Sequence, residues 1–162
     1  MSLTTAQLTT LKAAILAETD PAFVALRTAN DEQGMANWYN APSTFVIWRT
    51  DVRADEIGNA WSGSDIDGMT AINMQRLQLM LASSPIGVFD MTRADRRQGF
   101  EGPFGTNVNN ASRVAMRAAW KRFATRAERL FSAGTGTDAA PGAPGTFQGS
   151  INAQNISDAL RS

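Results

Sequence analysis

Six basic side chains, Arg113, Arg117, Lys121, Arg122, Arg126 and Arg129, are the densest set of chemically useful groups in this sequence. Guanidinium and ammonium groups in such numbers bind carboxylates or phosphates and carry out no covalent chemistry by themselves. Three readings follow. The set forms a solvated face whose arginine stems cover apolar surface, or it meets the acidic surface of an adjacent copy, or it contacts phosphates along DNA. A base-reading helix presents one edge to a groove, whereas these residues spread around three sides of the helix predicted to carry them.

Little else in the chain offers chemistry. It has no Cys and no His. That excludes disulfides, thiolate nucleophiles, iron–sulfur clusters and thiolate zinc sites. It also removes the commonest general base near neutral pH and the commonest transition-metal ligand. Asp65-Ile66-Asp67-Gly68 matches the opening of a calcium loop, but glutamine or arginine stands where the bidentate Glu is required. Gly134-x-Gly136 follows no strand and is no dinucleotide fingerprint. Asp55 and Glu56 are adjacent, so on a helix they point apart, and no spacing predicts the opposed carboxylates of a glycosidase. No catalytic residue, cofactor or metal is expected, and the chain is not expected to be an enzyme.

The elements that position these groups read as mainly helical. A 162-residue chain with 43% hydrophobic residues has enough apolar mass for one core. Thr4 with Gln7 makes a capping box for a helix over 4–17, with Leu8, Leu11 and Ile15 on one face. Asp20 and Pro21 open a second helix to about 27, and a third runs over 31–39 until Ala41-Pro42. Thr44-Phe45-Val46-Ile47-Trp48 is β-like, and a single strand needs a partner that the sequence does not show. A broadly apolar helix over 64–83 carries Ile66, Met69, Leu77 and Met80, with Ile72 and Leu79 beside them, and is expected to be contacted on several sides. The last major helix is predicted over 107–132, its apolar stripe formed by Met116, Trp120, Phe123, Ala127 and Leu130. The predicted core is Leu11, Ile15, Trp48, Ile66, Met69, Leu77, Met80, Trp120, Phe123 and Leu130.

Gly134 to Gly145 (GTGTDAAPGAPG) reads as a flexible linker. Beyond it Phe147, Ile151, Ile156 and Leu160 form an apolar set, with Asn152 placed to cap a final helix. The expected organisation is a helical body over 1–133 and an extended C-terminal arm over 134–162, whose four apolar residues bind a partner. Charge is uneven: ten acids face five bases over 1–90, and three acids face nine bases over 91–130. Such asymmetry suits contact between copies or with nucleic acid. No run of about 18 apolar residues predicts a membrane span, and MSLTTAQLTT lacks the pattern of a secretory signal.

The blocks LTTAQLTTLKAAILAETDP, ANWYNAPSTFVIWRTDV and WKRFATRAERLFSAGTGTDAAP, followed by GSINAQNISDAL, together resemble a family of small tailed-bacteriophage virion structural proteins of the head–tail connector, or adaptor, type. The resemblance covers nearly the whole chain. It implies a mainly helical subunit, made in the host cytoplasm and built into the virion. Such subunits form a homo-oligomeric ring, expected as a dodecamer, between the portal protein and the tail or nozzle protein. It also implies that Gly134 to Ser162 reaches the portal or a neighbour. Members of that family often carry an apolar β-like stretch after the GTGT segment, whereas Ala143-Pro144-Gly145-Thr146 is poor strand material. The alternative function is a DNA-associated accessory protein using the basic face of helix 107–132, with non-specific DNA contact.

Overall fold

A computed structural model describes residues 2–162. In chain order its elements are α1 (Thr5–Ala17), α2 (Pro21–Thr28), α3 (Glu32–Asn40), β1 (Pro42–Trp48), β2 (Val52–Arg53), α4 (Ala54–Asn59) and α5 (Gly63–Asp67). They continue with α6 (Ala71–Ala82), β3 (Val88–Phe89), α7 (Ala94–Glu101), a 3-10 turn (Gly102–Phe104), α8 (Ala111–Ala119), β4 (Lys121–Thr125), α9 (Arg126–Phe131) and α10 (Ala153–Arg161). The protein is mainly helical, with its few short strands in two two-stranded sheets among the described residues. Contacts divide it into two units, Met1–Ile47 with Phe123–Ser162, and Trp48–Arg122.

In the first unit the first two helices begin at the side chains expected to cap them, and the third, predicted over 31–39, is capped by Asp31. The Gln7 amide donates to Thr4 Oγ1 at 3.3 Å while Gln7 Oε1 accepts from the Thr4 amide at 2.9 Å. Asp20 accepts from the Ala22 amide at 2.9 Å ahead of Pro21. Asp31 accepts from the Gly34 amide at 2.8 Å. The Arg27 guanidinium then donates to the carbonyls of Ile15 (2.6 Å) and Leu16 (3.1 Å), answering acceptors that the end of α1 leaves open. Phe23 is fully buried, its ring 5.6 Å from that of Trp38 and 5.4 Å from that of Tyr39. The β-like run has its partner inside the chain, since β1 pairs with β4.

The expected C-terminal arm is corrected by the structure. Phe147, Ile151, Ile156 and Ala159 are buried in the same core as Leu11, Ile15, Phe23 and Met35, with Leu160 packed at its edge. Asn152 and Asn155 cap α10 reciprocally, at 2.9 and 3.1 Å. The side chain of Asn40 answers both backbone groups of Ile151: its Nδ2 donates to the carbonyl at 2.8 Å, and its Oδ1 accepts from the amide at 2.9 Å. The linker reading fails for a steric reason. A Cβ on Gly136, where φ is +65°, would sit 2.1 Å from the Phe45 ring, and one on Gly145 would sit 1.7 Å from the Phe131 carbonyl oxygen. These glycines permit close backbone approach rather than mobility. Bridges Ile47 to Gly142 and Ala133 to Ala143 fasten the run in place.

The second unit builds its own core from Val52, Ile57, Leu77, Phe89, Met91, Phe100, Phe104, Met116 and Trp120. β2 and β3 pair antiparallel, Val52 opposite Phe89. The Phe100 ring packs edge-on to Phe89 at 5.1 Å and lies 6.3 Å from the Trp120 ring. Asp65 Oδ2 accepts from the Ser112 amide (3.0 Å) and hydroxyl (2.6 Å), and Oδ1 from Asn110 Nδ2 (2.7 Å). The carboxylate that opened the apparent calcium loop thus ties α5 to the start of α8, and the Ser112 bonds hold its carboxyl below the usual range.

Two predicted long helices are broken. The one over 64–83 stops at Gly68, and Thr70 starts α6 by accepting from the Asn73 amide at 3.3 Å. The one over 107–132 becomes α8, β4 and α9, because Thr125 and Glu128 form a capping box that starts a new helix. Of the predicted core, Leu11, Ile15, Leu77 and Trp120 are fully buried. Trp48, Ile66, Met69 and Met80 pack partly buried on the second core, and Leu130 on the first. Phe123 sits in β4 and is 62% exposed, so it is not a core residue.

Candidate functional site

The break in helix 107–132 redistributes the six basic residues. Arg113 and Arg117 lie on α8 and converge on Glu101 at the end of α7. Arg113 Nη2 reaches Oε2 at 2.7 Å; Arg117 reaches Oε1 through Nε at 2.7 Å and Oε2 through Nη2 at 2.6 Å. Burial pushes the Glu101 carboxyl up, but the hydrogen bonds from Arg117 and Arg113 outweigh it and hold the group below its usual range. These two arginines therefore serve an internal ion triad. Lys121 and Arg122 are half-buried in β4 and have interactions of their own.

Arg126 and Arg129 belong to α9, in the first unit. They line a cleft of about 580 Å³ with Glu18 at the end of α1, Tyr39 of α3 and Ser43 and Thr44 of β1. The Arg126 guanidinium stacks 3.8 Å above the Trp38 ring and donates to the Trp38 carbonyl at 3.0 Å. The Ser43 hydroxyl donates to the Ala124 carbonyl at 2.8 Å, fixing the cleft floor to β4. Tyr39 is buried, and its hydroxyl has no hydrogen-bond partner among the described residues. Burial raises its phenol far above the ordinary range, with the nearby Glu18 charge acting in the same direction. The group is a neutral donor, not a base. Two guanidinium groups at a cleft that also carries Ala14, Pro42 and Leu130 suit a carboxylate, while Glu18 on the wall limits how much negative charge enters.

An unpaired buried hydroxyl costs about 1–3 kcal/mol of desolvation. Tyr39→Phe is therefore expected to leave stability unchanged or to raise it, as measured by the urea midpoint. A loss above about 1 kcal/mol would show that the hydroxyl is satisfied in solution.

Charged and apolar side chains also meet on the second unit. α6 buries Leu77 but turns Ile72 (65% exposed) and Leu79 (64%) outward, two turns apart on one face. Within the chain this helix is contacted on one side, not on several. Beside Leu79 a shallow groove of about 340 Å³ is lined by Arg76, Leu79, Met80 and Gly99, and its wall is almost wholly apolar. Arg76 has no hydrogen-bond or ion-pair partner among the described residues. After α6 the turn Ser84–Gly87 carries Ile86 at 79% exposure. Sequence reasoning placed Ile72 and Leu79 beside a core and passed over Arg76 and Ile86. The available signal was the width of the α6 apolar arc, which exceeds what one core can cover.

The predicted partner-binding residues Phe147, Ile151, Ile156 and Leu160 are spent within the first unit. Among the described residues no group of three or more Asp or Glu could hold a metal ion, and no helix is long and apolar enough to cross a membrane. No protein-family model, curated protein or solved structure matches this chain.

Proposed function

We propose that this chain is a structural adaptor subunit of a tailed-phage virion, self-associating into a ring between the portal or capsid vertex and the tail. The observation that carries the reading is the outward apolar set of the second unit, Ile72, Leu79, Ile86, Val108 and Val114, each more than half exposed. Single exposed apolar residues are ordinary on monomers, but a stripe on one helix face followed by an apolar turn tip is the composition of a contact surface. The resemblance of its sequence blocks to connector proteins is in keeping with the same reading. The C-terminal segment no longer does, since its apolar residues are buried at home.

The arginine-lined cleft fits this role as a receptor for a carboxylate on a neighbouring protein. The test is particle incorporation. Full chain expressed with the structural proteins of its phage is expected to co-purify with portal-containing particles in several copies each. A chain that stays monomeric and free of particles would overturn the proposal.

A further inference from the structure

Two features of the second unit leave apolar surface uncovered. The first is a presented knob. Ile86 stands at the third position of the turn Ser84–Gly87, closed by the Gly87 amide donating to the Ser84 carbonyl at 3.1 Å. Pro85 fixes the second position, and Gly87 takes φ +65° at the fourth. The Ser84 hydroxyl both donates to the Val88 carbonyl (2.7 Å) and accepts from the Val88 amide (3.1 Å). The Ala54 amide holds the Gly87 carbonyl at 2.8 Å. A β-branched residue is thus held rigidly at 79% exposure, with little left to lose in ordering. Asp55 lines the same depression as Ile86. Its pairing with Arg53 at 3.0 Å is between side chains 63% and 70% exposed, and such surface pairs are weak and readily exchanged.

The second feature is the groove beside α6. It is lined by Leu79, Met80, Gly99 and the unpartnered Arg76. A Cβ on Gly99 would sit 2.5 Å from Met80 Cε, so glycine there leaves the methionine room to lie flat. Methionine adapts its shape to an incoming side chain.

Resting on the adaptor reading, we infer that Ile86 of one copy docks in the Arg76–Leu79–Met80–Gly99 groove of the next, with Asp55 beside the knob pairing with Arg76. The occupant is a second copy because this chain supplies both the apolar knob and the acid that match the groove and its lone cation. Knob and groove are different surfaces, so the contact is head-to-tail and propagates around a ring instead of closing a two-fold dimer.

The chain contains no Cys, which makes crosslinking unambiguous. Leu79→Cys chain is mixed with Ile86→Cys chain, assembled in solution or in particles, and oxidised; a disulfide-linked dimer containing one of each is expected. Separately, Asp55→Arg and Arg76→Asp are each expected to weaken assembly about tenfold or more, and the two reversals combined to restore it. All these positions are exposed, and circular dichroism of each variant checks that it folds. If wild-type chain assembles, yet no mixed crosslink forms and the reversals do nothing, the interface is wrong while the adaptor reading stands. If wild-type chain neither assembles nor enters particles, both fall.

Discussion

Deleting residues 134–162 is expected to unfold the first unit, not to leave a folded body. Three large apolar side chains in that segment, Phe147, Ile151 and Ile156, are buried with α1, α2 and α3. Burying each contributes about 1.5–3 kcal/mol, and the sum of roughly 5–9 kcal/mol is comparable to the whole stability of an ordinary domain. The Phe131 and Phe147 rings lie 5.4 Å apart, so α9 loses a partner as well. Far-ultraviolet circular dichroism and thermal melting of the truncated chain check this: loss of the cooperative transition of this unit is expected. A milder variant isolates the clamp. Asn40→Ala removes both hydrogen bonds to Ile151 and is expected to cost about 2 kcal/mol while exposing the segment to protease. A truncated chain that melts like the parent would show that the segment is dispensable.

Glu101→Ala is expected to cost about 3 kcal/mol, because it leaves two arginines facing each other without their anion. Arg113 and Glu101 have side chains only 11% and 13% exposed, so water replaces little of what is lost. The same residue shapes the response to acid. Its folded carboxyl is held below the ordinary value of 4.5. A depressed folded pKa gives stability that is fully present above the unfolded value and is lost as pH falls through the folded one. Urea midpoints measured from neutral pH downward are expected to fall less steeply below about pH 4.5 for Glu101→Ala than for the parent. Glu56, Asp65 and Asp95 are also held low, so the variant keeps part of the slope. Parallel acid limbs for the two proteins would contradict the triad.

The features legible in the sequence were those set by local rules. Caps at Thr4, Asp20 and Asn152 act within four residues, and each starts its helix where expected. Long-range features are less legible in the sequence, for identifiable reasons. The 3.6 period continued through Trp120 and Phe123 although Thr125-x-x-Glu128 is itself a start signal, so an internal cap was merged into one long helix. The glycines of 134–145 resembled a linker because composition cannot tell freedom from close approach. The basic cluster divides because two of its arginines face Glu101, which lies 12 and 16 residues away, while Arg126 and Arg129 sit on a separate helix. The cleft around Tyr39 draws on segments more than 80 residues apart, and no spacing rule reaches that far.

The measurement that tests the adaptor proposal most directly is quantitative mass spectrometry for this chain in purified particles of a tailed phage whose genome is found to carry its gene. The chain is expected in every particle, at a fixed multiple of the portal ring and resistant to high-salt washing, as an apolar interface requires. Absence of the chain from particles, or traces that salt removes, would contradict it.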